Sequence, residues 1–195
     1  YQFGHKLGDA AAEYFIAEKK DAPTIAVLNC EFVEVCVTRR KGFEEALFAK
    51  VPGAKIVDNQ EGAVLDKAVS VASTMLSSHP DLDAFFGEAG GATLGAARAV
   101  KSQGRVGKTV VFGGDMTTEI AQEMADFSVI KAVVDISGQG LGKLALDQAI
   151  KSIDGNAPAD IKVAYDIDLY KSAEDGKAWL EAHAKPGERV LNQWS

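Results

Sequence analysis

Three charged side chains stand where an apolar run of the chain gives way to polar residues. Asp115 follows the run Phe-Gly-Gly, Asp135 follows Val-Val, and Arg39 opens the basic stretch Arg-Arg-Lys. Carboxylates accept charge-assisted hydrogen bonds and a guanidinium donates them, so these types together suit a ligand rich in hydroxyl groups. Each aspartate has an alternative role as a helix N-cap. Arg39 has an alternative role as a solvated residue, but we expect it to begin a helix, where a cation gains nothing from the helix dipole. That placement favours a binding role.

Known catalytic patterns are missing from the sequence. The three histidines lie in unrelated segments, at His5, His79 and His183. There is no G-x-S-x-G elbow and no H-E-x-x-H motif. The glycine-rich residues 138–143 superficially resemble a phosphate loop, but Ser137 stands where that motif needs its first glycine and Leu144 where it needs Ser or Thr. We therefore predict a protein that is not an enzyme and uses no cofactor.

The two cysteines, Cys30 and Cys36, are six residues apart. This spacing matches neither C-x-x-C redox motifs nor the usual pairs of zinc ligands, so no metal site is predicted. Two interpretations stay open: a pair of small, partly buried side chains, or a local disulfide in an oxidising compartment.

Short apolar runs alternate with segments of helical periodicity along most of the chain. The runs that predict strands are residues 24–29, 54–58, 83–87, 108–113 and 130–135. The segments that predict helices are residues 7–17, 43–49, 62–78, 91–102, 138–153 and 173–183, and residues 161–169 form one further, polar-interrupted strand candidate. Such alternation is typical of βαβ units, which build an α/β fold: a doubly wound parallel sheet with helices on both faces.

The fold class predicts where a ligand binds. In an open parallel sheet, ligands lie beyond the carboxyl ends of the strands. Here the loops at those ends are residues 30–38, 59–63, 88–91, 114–117 and 135–138. Glycines and polar residues such as Glu88 collect in them, and Ala89 lies in the third of these loops.

The bulk composition excludes some partners. The net charge is −7 and the pI is about 5.0, whereas nucleic-acid binding needs clustered Lys and Arg. No apolar run approaches the ~18 residues of a membrane span, so we expect no direct membrane insertion. The chain opens at Tyr1 rather than at Met, so we expect a processed or truncated product, which leaves room for a targeting segment removed before Tyr1.

Four segments, taken in order, resemble the sugar-binding proteins of ABC importers, of the ribose-binding type. Residues 39–47 match R-x-x-G-F-x-x-A-L, and residues 79–86 match H-P-D-h-x-A-h-F with Leu-Gly-Ala following at 94–96. Residues 111–115 resemble the strand end V-V-G-F-D, and residues 135–143 resemble the crossover into a Gly-Lys helix.

The resemblance implies two α/β lobes, the type I periplasmic-binding fold, with the ligand clamped between them. Residues 1–135 and 163–195 would form the second lobe with its hinge return. Residues 136–162 would be a helix of the first lobe, the rest of which is largely missing. A sugar or polyol and the membrane permease of an ABC importer are the implied partners. The implied location is periplasmic, or extracellular and lipid-anchored in a Gram-positive bacterium.

The family's ligand arginine falls on Arg39, its hydroxyl-binding aspartate on Asp115, and Asp135 occupies a position usually held by Gln. Ala89 stands where the family often has Asn, and an aromatic residue expected near residue 64 is missing. Phe32 and Glu88 are candidates to supply replacement contacts. These departures predict a ligand other than plain ribose. The alternative function, on the same fold, is the effector or sensor domain of a sugar-responsive transcription regulator or signalling receptor.

Overall fold

The computed structural model describes residues 1–157 and 165–183, which form one six-stranded sheet flanked by helices. The strands are β1 Thr24–Asn29, β2 Lys55–Glu61, β3 Ala84–Gly87, β4 Val110–Gly114, β5 Ile130–Asp135 and β6 Asp168–Tyr170. The helices are α1 Gln2–Ala17, α2 Glu34–Lys50, α3 Leu65–Ser78, α4 Gly90–Ser102, α5 Thr118–Asp126, α6 Gly138–Ile153 and α7 Ala173–His183.

The strand order is β2-β1-β3-β4-β5-β6, parallel throughout except that β6 runs antiparallel to β5. The predicted α/β, doubly wound fold is therefore confirmed, with one antiparallel edge strand added. All residues of β3 and β4 are buried, as expected for central strands covered on both faces. The edge strand β2 is mostly half-buried or exposed and ends in Asp-Asn-Gln-Glu.

Alternation along each strand divides the core into two layers. In β1, Ala26 and Leu28 face the cluster built with α3, α4 and α5. Ile25 and Val27 face the other cluster, built with α1 and α2. Each strand side chain thus packs against the helices on one face of the sheet. This packing fixes the carboxyl ends of the strands relative to the helices that follow them.

Helices α1 and α2 cross at very close range because glycines line the crossing. A methyl group on Gly4 would overlap the carbonyl of Arg39, and one on Gly8 would overlap the carbonyl of Phe43. From the α2 side, a methyl on Gly42 would overlap the carbonyl of Tyr1. The close approach fixes the backbone of α2 at Arg39.

The structure differs from the sequence predictions at two helices. Helix α2 begins at Glu34, so Arg39 lies in its second turn and does not begin the helix. Helix α5 was not predicted, since it has only nine residues and buries only Ile120, Ala121 and Met124. The strand predicted over residues 161–169 is observed as the three residues of β6, while residues 161–164 lie outside the described residues.

Helix α6 differs from the other helices because none of its residues is buried. Several of its apolar side chains are exposed to solvent, namely those of Leu141, Leu146, Ile150 and Ile153.

Among residues 1–157 and 165–183, no helix combines the length and the apolar character needed to cross a membrane.

Candidate functional site

Arg39, in the second turn of α2, and Asp115, directly after β4, meet at the carboxyl edge of the sheet. The Nη2 atom of Arg39 lies 3.3 Å from Oδ1 of Asp115, and its Nη1 atom lies 3.4 Å from Oδ2. The Arg39 side chain is only 13% exposed, whereas that of Asp115 is 40% exposed. The pair thus presents an oriented carboxylate toward solvent with a nearly buried cation behind it, which suits hydrogen bonding to hydroxyl groups.

Arg39 is held in this position by two further contacts. Its guanidinium lies over the ring of Phe3, 3.9 Å from the ring centroid, a favourable cation–π arrangement. Its Nη1 atom also donates to the main-chain carbonyl of Glu88 at 2.6 Å. Phe3 can reach this place because Gly114 has no side chain: a methyl there would overlap the ring.

Asp115 does not cap the helix that follows it. That role belongs to Thr117, whose hydroxyl accepts from the amide of Ile120. Instead, Oδ2 of Asp115 accepts a hydrogen bond from the amide of Gly90, the first residue of α4, at 3.2 Å. Asp115 has a φ of +61°, a conformation that Asp tolerates better than most residues. The carboxylate thus links the loops after β3 and β4, and the capping alternative for its own helix is wrong.

Asp135 lies at the neighbouring strand end, partly buried. Its Oδ1 atom accepts from the amide of Met116 at 2.9 Å, while Ser137 is the residue that caps α6. Capping of α6 by Asp135 is therefore also wrong. Burial raises the pKa of Asp135, and the nearby charges of Asp115 and Asp168 act in the same direction. The site thus has a cluster of carboxylates along the ends of β4 and β5.

Glu88 is fully buried directly beneath this edge. Its Oε2 atom accepts from the amide of Cys30 at 2.8 Å, while Oε1 is buried without a hydrogen-bond partner among the described residues. Burial raises the pKa of Glu88 from 4.5 to about 7, against the opposing effect of the Cys30 amide. Its side chain is thus directed at the Cys30 loop and not at solvent.

Cys30 and Cys36 form a disulfide, with their Cα atoms 5.5 Å apart. This decides between the two interpretations of the cysteine pair. The sulfur atoms lie near the carboxylate of Glu88, but sulfurs joined in a disulfide carry no thiolate with which to bind a metal.

The other two predicted site residues lie on the same edge. Phe32 lies within the disulfide loop and is 71% exposed. Ala89 is the N-cap residue of α4 and provides no side-chain cap. Sequence reasoning missed Phe3 and Gly90: Phe3 is far from the other site residues along the chain, and Gly90 contributes only a backbone amide. The pattern of strand ends alone could not indicate either one.

The family was identified by comparison with known proteins. Residues 2–157 match the sequence profile described as a periplasmic binding protein domain. This chain belongs to the periplasmic binding protein family.

Similar proteins from two bacteria are named as binding proteins. The chain is 58% identical over 182 residues, 93% of its length, to the ABC transporter periplasmic-binding protein YphF of Escherichia coli K12. It is 35% identical over 121 residues, 62% of its length, to the D-ribose/D-allose-binding protein of Pseudomonas aeruginosa. These matches cover 56% and 37% of the two relatives. The chain thus spans about half, or less, of their length.

Solved structures of the family share the fold. The binding protein of the arabinose ABC transporter from Shewanella sp. ANA-3, bound to L-arabinofuranose, superposes with a TM-score of 0.80 at 24% identity. That match covers the whole of this chain and 63% of the other. The match shows that this chain has the same fold as that protein.

Proposed function

We propose that this protein is a solute-binding protein that captures a sugar or polyol in a cleft between two lobes for ABC-type import. The observation that carries the proposal is the Arg39–Asp115 pair at the carboxyl edge of the sheet. The pair provides fixed hydrogen-bond donors and acceptors that are partly open to solvent. The chain is also 58% identical to a periplasmic-binding protein of an ABC transporter. The relatives are named as binding proteins, and we propose no catalytic step.

The lobe arrangement is part of the proposal. Residues 1–135 and 163–195 would form one lobe with the hinge return, and residues 136–162 would belong to the other. Helix α6 supports this division because it buries none of its residues against the described sheet. A helix with several apolar side chains on its surface is stable in a folded protein when another layer covers it.

The partner and the compartment follow from the same function. A binding protein of an importer delivers its ligand to a membrane permease, outside the cytoplasm. We propose a periplasmic location, or an extracellular, lipid-anchored one in a Gram-positive bacterium. The Cys30–Cys36 disulfide is consistent with an oxidising compartment. The regulatory alternative, an effector or sensor domain, rests on the fold alone, and no contact in the site favours it.

The ligand class is proposed from the site and the relatives together. Asp115 and Asp135 provide acceptors, Arg39 provides donors, and Phe32 provides an exposed ring on the same edge. Sugars present alternating hydroxyl and C–H surfaces that such a mixed set binds. Relatives are named for D-ribose and D-allose, so pentoses and hexoses are the first ligands to test.

A thermal-shift screen of the purified protein against pentoses, hexoses, polyols and their phosphates tests the function. A ligand that binds only the folded state raises the unfolding midpoint. For any sugar that does so, we expect Asp115→Asn and Arg39→Ala each to weaken affinity by about 10- to 100-fold, the usual value of a charged hydrogen bond. Asp81→Asn, at an exposed aspartate before β3 and so at the opposite edge of the sheet, is the control and should bind normally. Unchanged affinity in both site variants would disprove the site, and no stabilisation by any sugar would disprove the ligand class.

A further inference from the structure

Glu88 is a buried charged group for which the binding function above has no role. Its side chain is inaccessible to solvent. One carboxylate oxygen accepts from the amide of Cys30, and the other has no partner among the described residues. Burying a carboxylate with an unsatisfied oxygen costs free energy. An uncompensated cost of this kind is expected where a residue has a function.

The contacts of Glu88 connect two parts of the molecule. Its side chain holds Cys30 at the end of β1, and its main-chain carbonyl accepts from Nη1 of Arg39 at 2.6 Å. Cys30 is joined through the disulfide to Cys36 in the first turn of α2. Arg39 follows one turn later on the same helix. A closed path therefore runs from the Glu88 carboxylate through the disulfide loop to Arg39 and back to the Glu88 backbone.

We propose that Glu88, acting with the Cys30–Cys36 disulfide, is a positioning residue for Arg39, and that its protonation state alters the environment of the Arg39 guanidinium. The proposal rests on the proposed function in one respect, namely that Arg39 binds the ligand. The coupling itself is a property of the protein without ligand.

The charged groups around Glu88 set the direction of the effect. Arg39 and Arg40, on α2, favour the ionised carboxylate, whereas Glu31, in the disulfide loop, opposes it. Ionisation places a negative charge near the Arg39 guanidinium and turns the Cys30 contact into a charge-assisted hydrogen bond. Protonation removes the negative charge and leaves the Cys30 contact as an ordinary hydrogen bond. Because burial raises the pKa of Glu88 to about 7, the change occurs in the neutral range.

The test follows the Nε–Hε NMR signal of Arg39, assigned by its loss in Arg39→Lys, between about pH 5 and pH 9. The Nε atom is buried without a hydrogen-bond partner among the described residues, so this proton reports on its surroundings. We expect a chemical-shift step with a midpoint near 7 in the wild type and no step in Glu88→Gln. The matched control, Glu31→Gln, lies on the same loop and should keep the step, at a somewhat lower midpoint because the charge of Glu31 opposes ionisation of Glu88.

The disulfide is tested in Cys30→Ser/Cys36→Ser. We expect amide hydrogen exchange in the first two turns of α2 to accelerate by about tenfold or more, with exchange in α4 unchanged. A step that persists in Glu88→Gln, or a wild type without a step, would overturn the role of Glu88. Unchanged exchange in α2 would overturn the role of the disulfide.

These outcomes are separate from those of the sugar screen. If no sugar binds but the step is present and disappears in Glu88→Gln, the coupling stands and the proposed function is wrong. If D-ribose or D-allose binds through Arg39 and no step is seen, the function stands and the positioning role is wrong. Far-UV circular dichroism confirms that each variant is folded.

Discussion

At the scale of single residues, two carboxylates of similar chemistry occupy opposite environments within one site. Asp115 is 40% exposed and paired with Arg39, so it can exchange water for a ligand hydroxyl at little cost. Glu88 is fully buried, and among the described residues only one of its carboxylate oxygens has a hydrogen-bond partner. The first arrangement suits binding, whereas the second makes the stability of the protein depend on pH.

We predict that Glu88→Gln stabilises the protein at pH 8 but not at pH 4.5. The pKa of Glu88 rises from 4.5 to about 7 on folding, so the folded state binds this proton more tightly than the unfolded state. Glu88 therefore lowers the free energy of unfolding as the pH rises from 4.5 to 7, by about 3 kcal/mol in total. Gln keeps an acceptor for the Cys30 amide and carries no charge.

Urea unfolding of both proteins at several pH values measures this difference. The gain from Glu88→Gln should grow through the window from 4.5 to 7 and then level off. A gain that is constant with pH would contradict the prediction, since it would show that the pKa of Glu88 is the same in both states. Glu31→Gln, whose side chain is partly exposed, should show no comparable trend.

Residue-level reasoning from sequence found the parts of the site that follow strand ends. The placement of Asp115 and Asp135 at one edge could be predicted because parallel strands bring their carboxyl ends together, whereas Arg39 was indicated by the family resemblance and lies in the second turn of α2. The ring of Phe3 beneath Arg39 could not be predicted, because it depends on a contact between segments far apart in the chain and on the space left by Gly114. The burial of the Glu88 side chain could likewise not be predicted, because a carboxylate in a loop is normally solvated.

At the scale of elements, the crossing of α1 and α2 determines where Arg39 points. The backbone of Arg39 touches Gly4 directly, and its guanidinium rests on Phe3 from the same turn of α1. A shift of α1 would therefore move the arginine at both its backbone and its side chain.

We predict that Gly4→Ala destabilises the protein by about 2 kcal/mol or more, because the added methyl forces α1 away from α2. The matched control is Gly142→Ala, also within a helix, where a methyl group meets nothing within 4 Å. That substitution should be neutral or stabilise by up to about 1 kcal/mol through helix propensity. Thermal unfolding of the two variants measures the contrast. Equal effects would show that the α1–α2 contact is looser than described.

Element prediction succeeded where periodicity was strong. Strands β1 and β5 and helices α6 and α7 have the predicted bounds. The start of α2 was missed because the segment before Arg39 alternates valine with other residues in a strand-like pattern, whereas the Cys30–Cys36 disulfide and the turn before Glu34 allow a helix there. Helix α5 was missed because a short helix with few buried residues leaves a weak pattern.

At the scale of the whole molecule, the described core does not include α6. The two apolar clusters draw on the strands and on the other helices that flank them, while Leu146 and Ile150 of α6 are 60% and 49% exposed.

We predict that Leu146→Gln leaves the free energy of unfolding of the described lobe unchanged within about 0.5 kcal/mol, as expected for an exposed position. Leu76→Ala, at a fully buried leucine of α3, should cost about 2–5 kcal/mol. Chemical unfolding of the 195-residue protein distinguishes the two. A large loss from Leu146→Gln would mean that α6 packs against this lobe, which would contradict the lobe division proposed above.

The strand β2 has a consequence for behaviour at high concentration. In the part of the chain that the structure describes, β2 pairs with β1 alone, so its other side presents backbone amides and carbonyls that a strand from a second molecule could join. The run Asp58, Asn59, Gln60 and Glu61 places acids and amides along that edge. Such hydrated side chains at a sheet edge disfavour the pairing of that edge with a strand of another molecule, so we expect this edge to resist growth of the sheet from molecule to molecule.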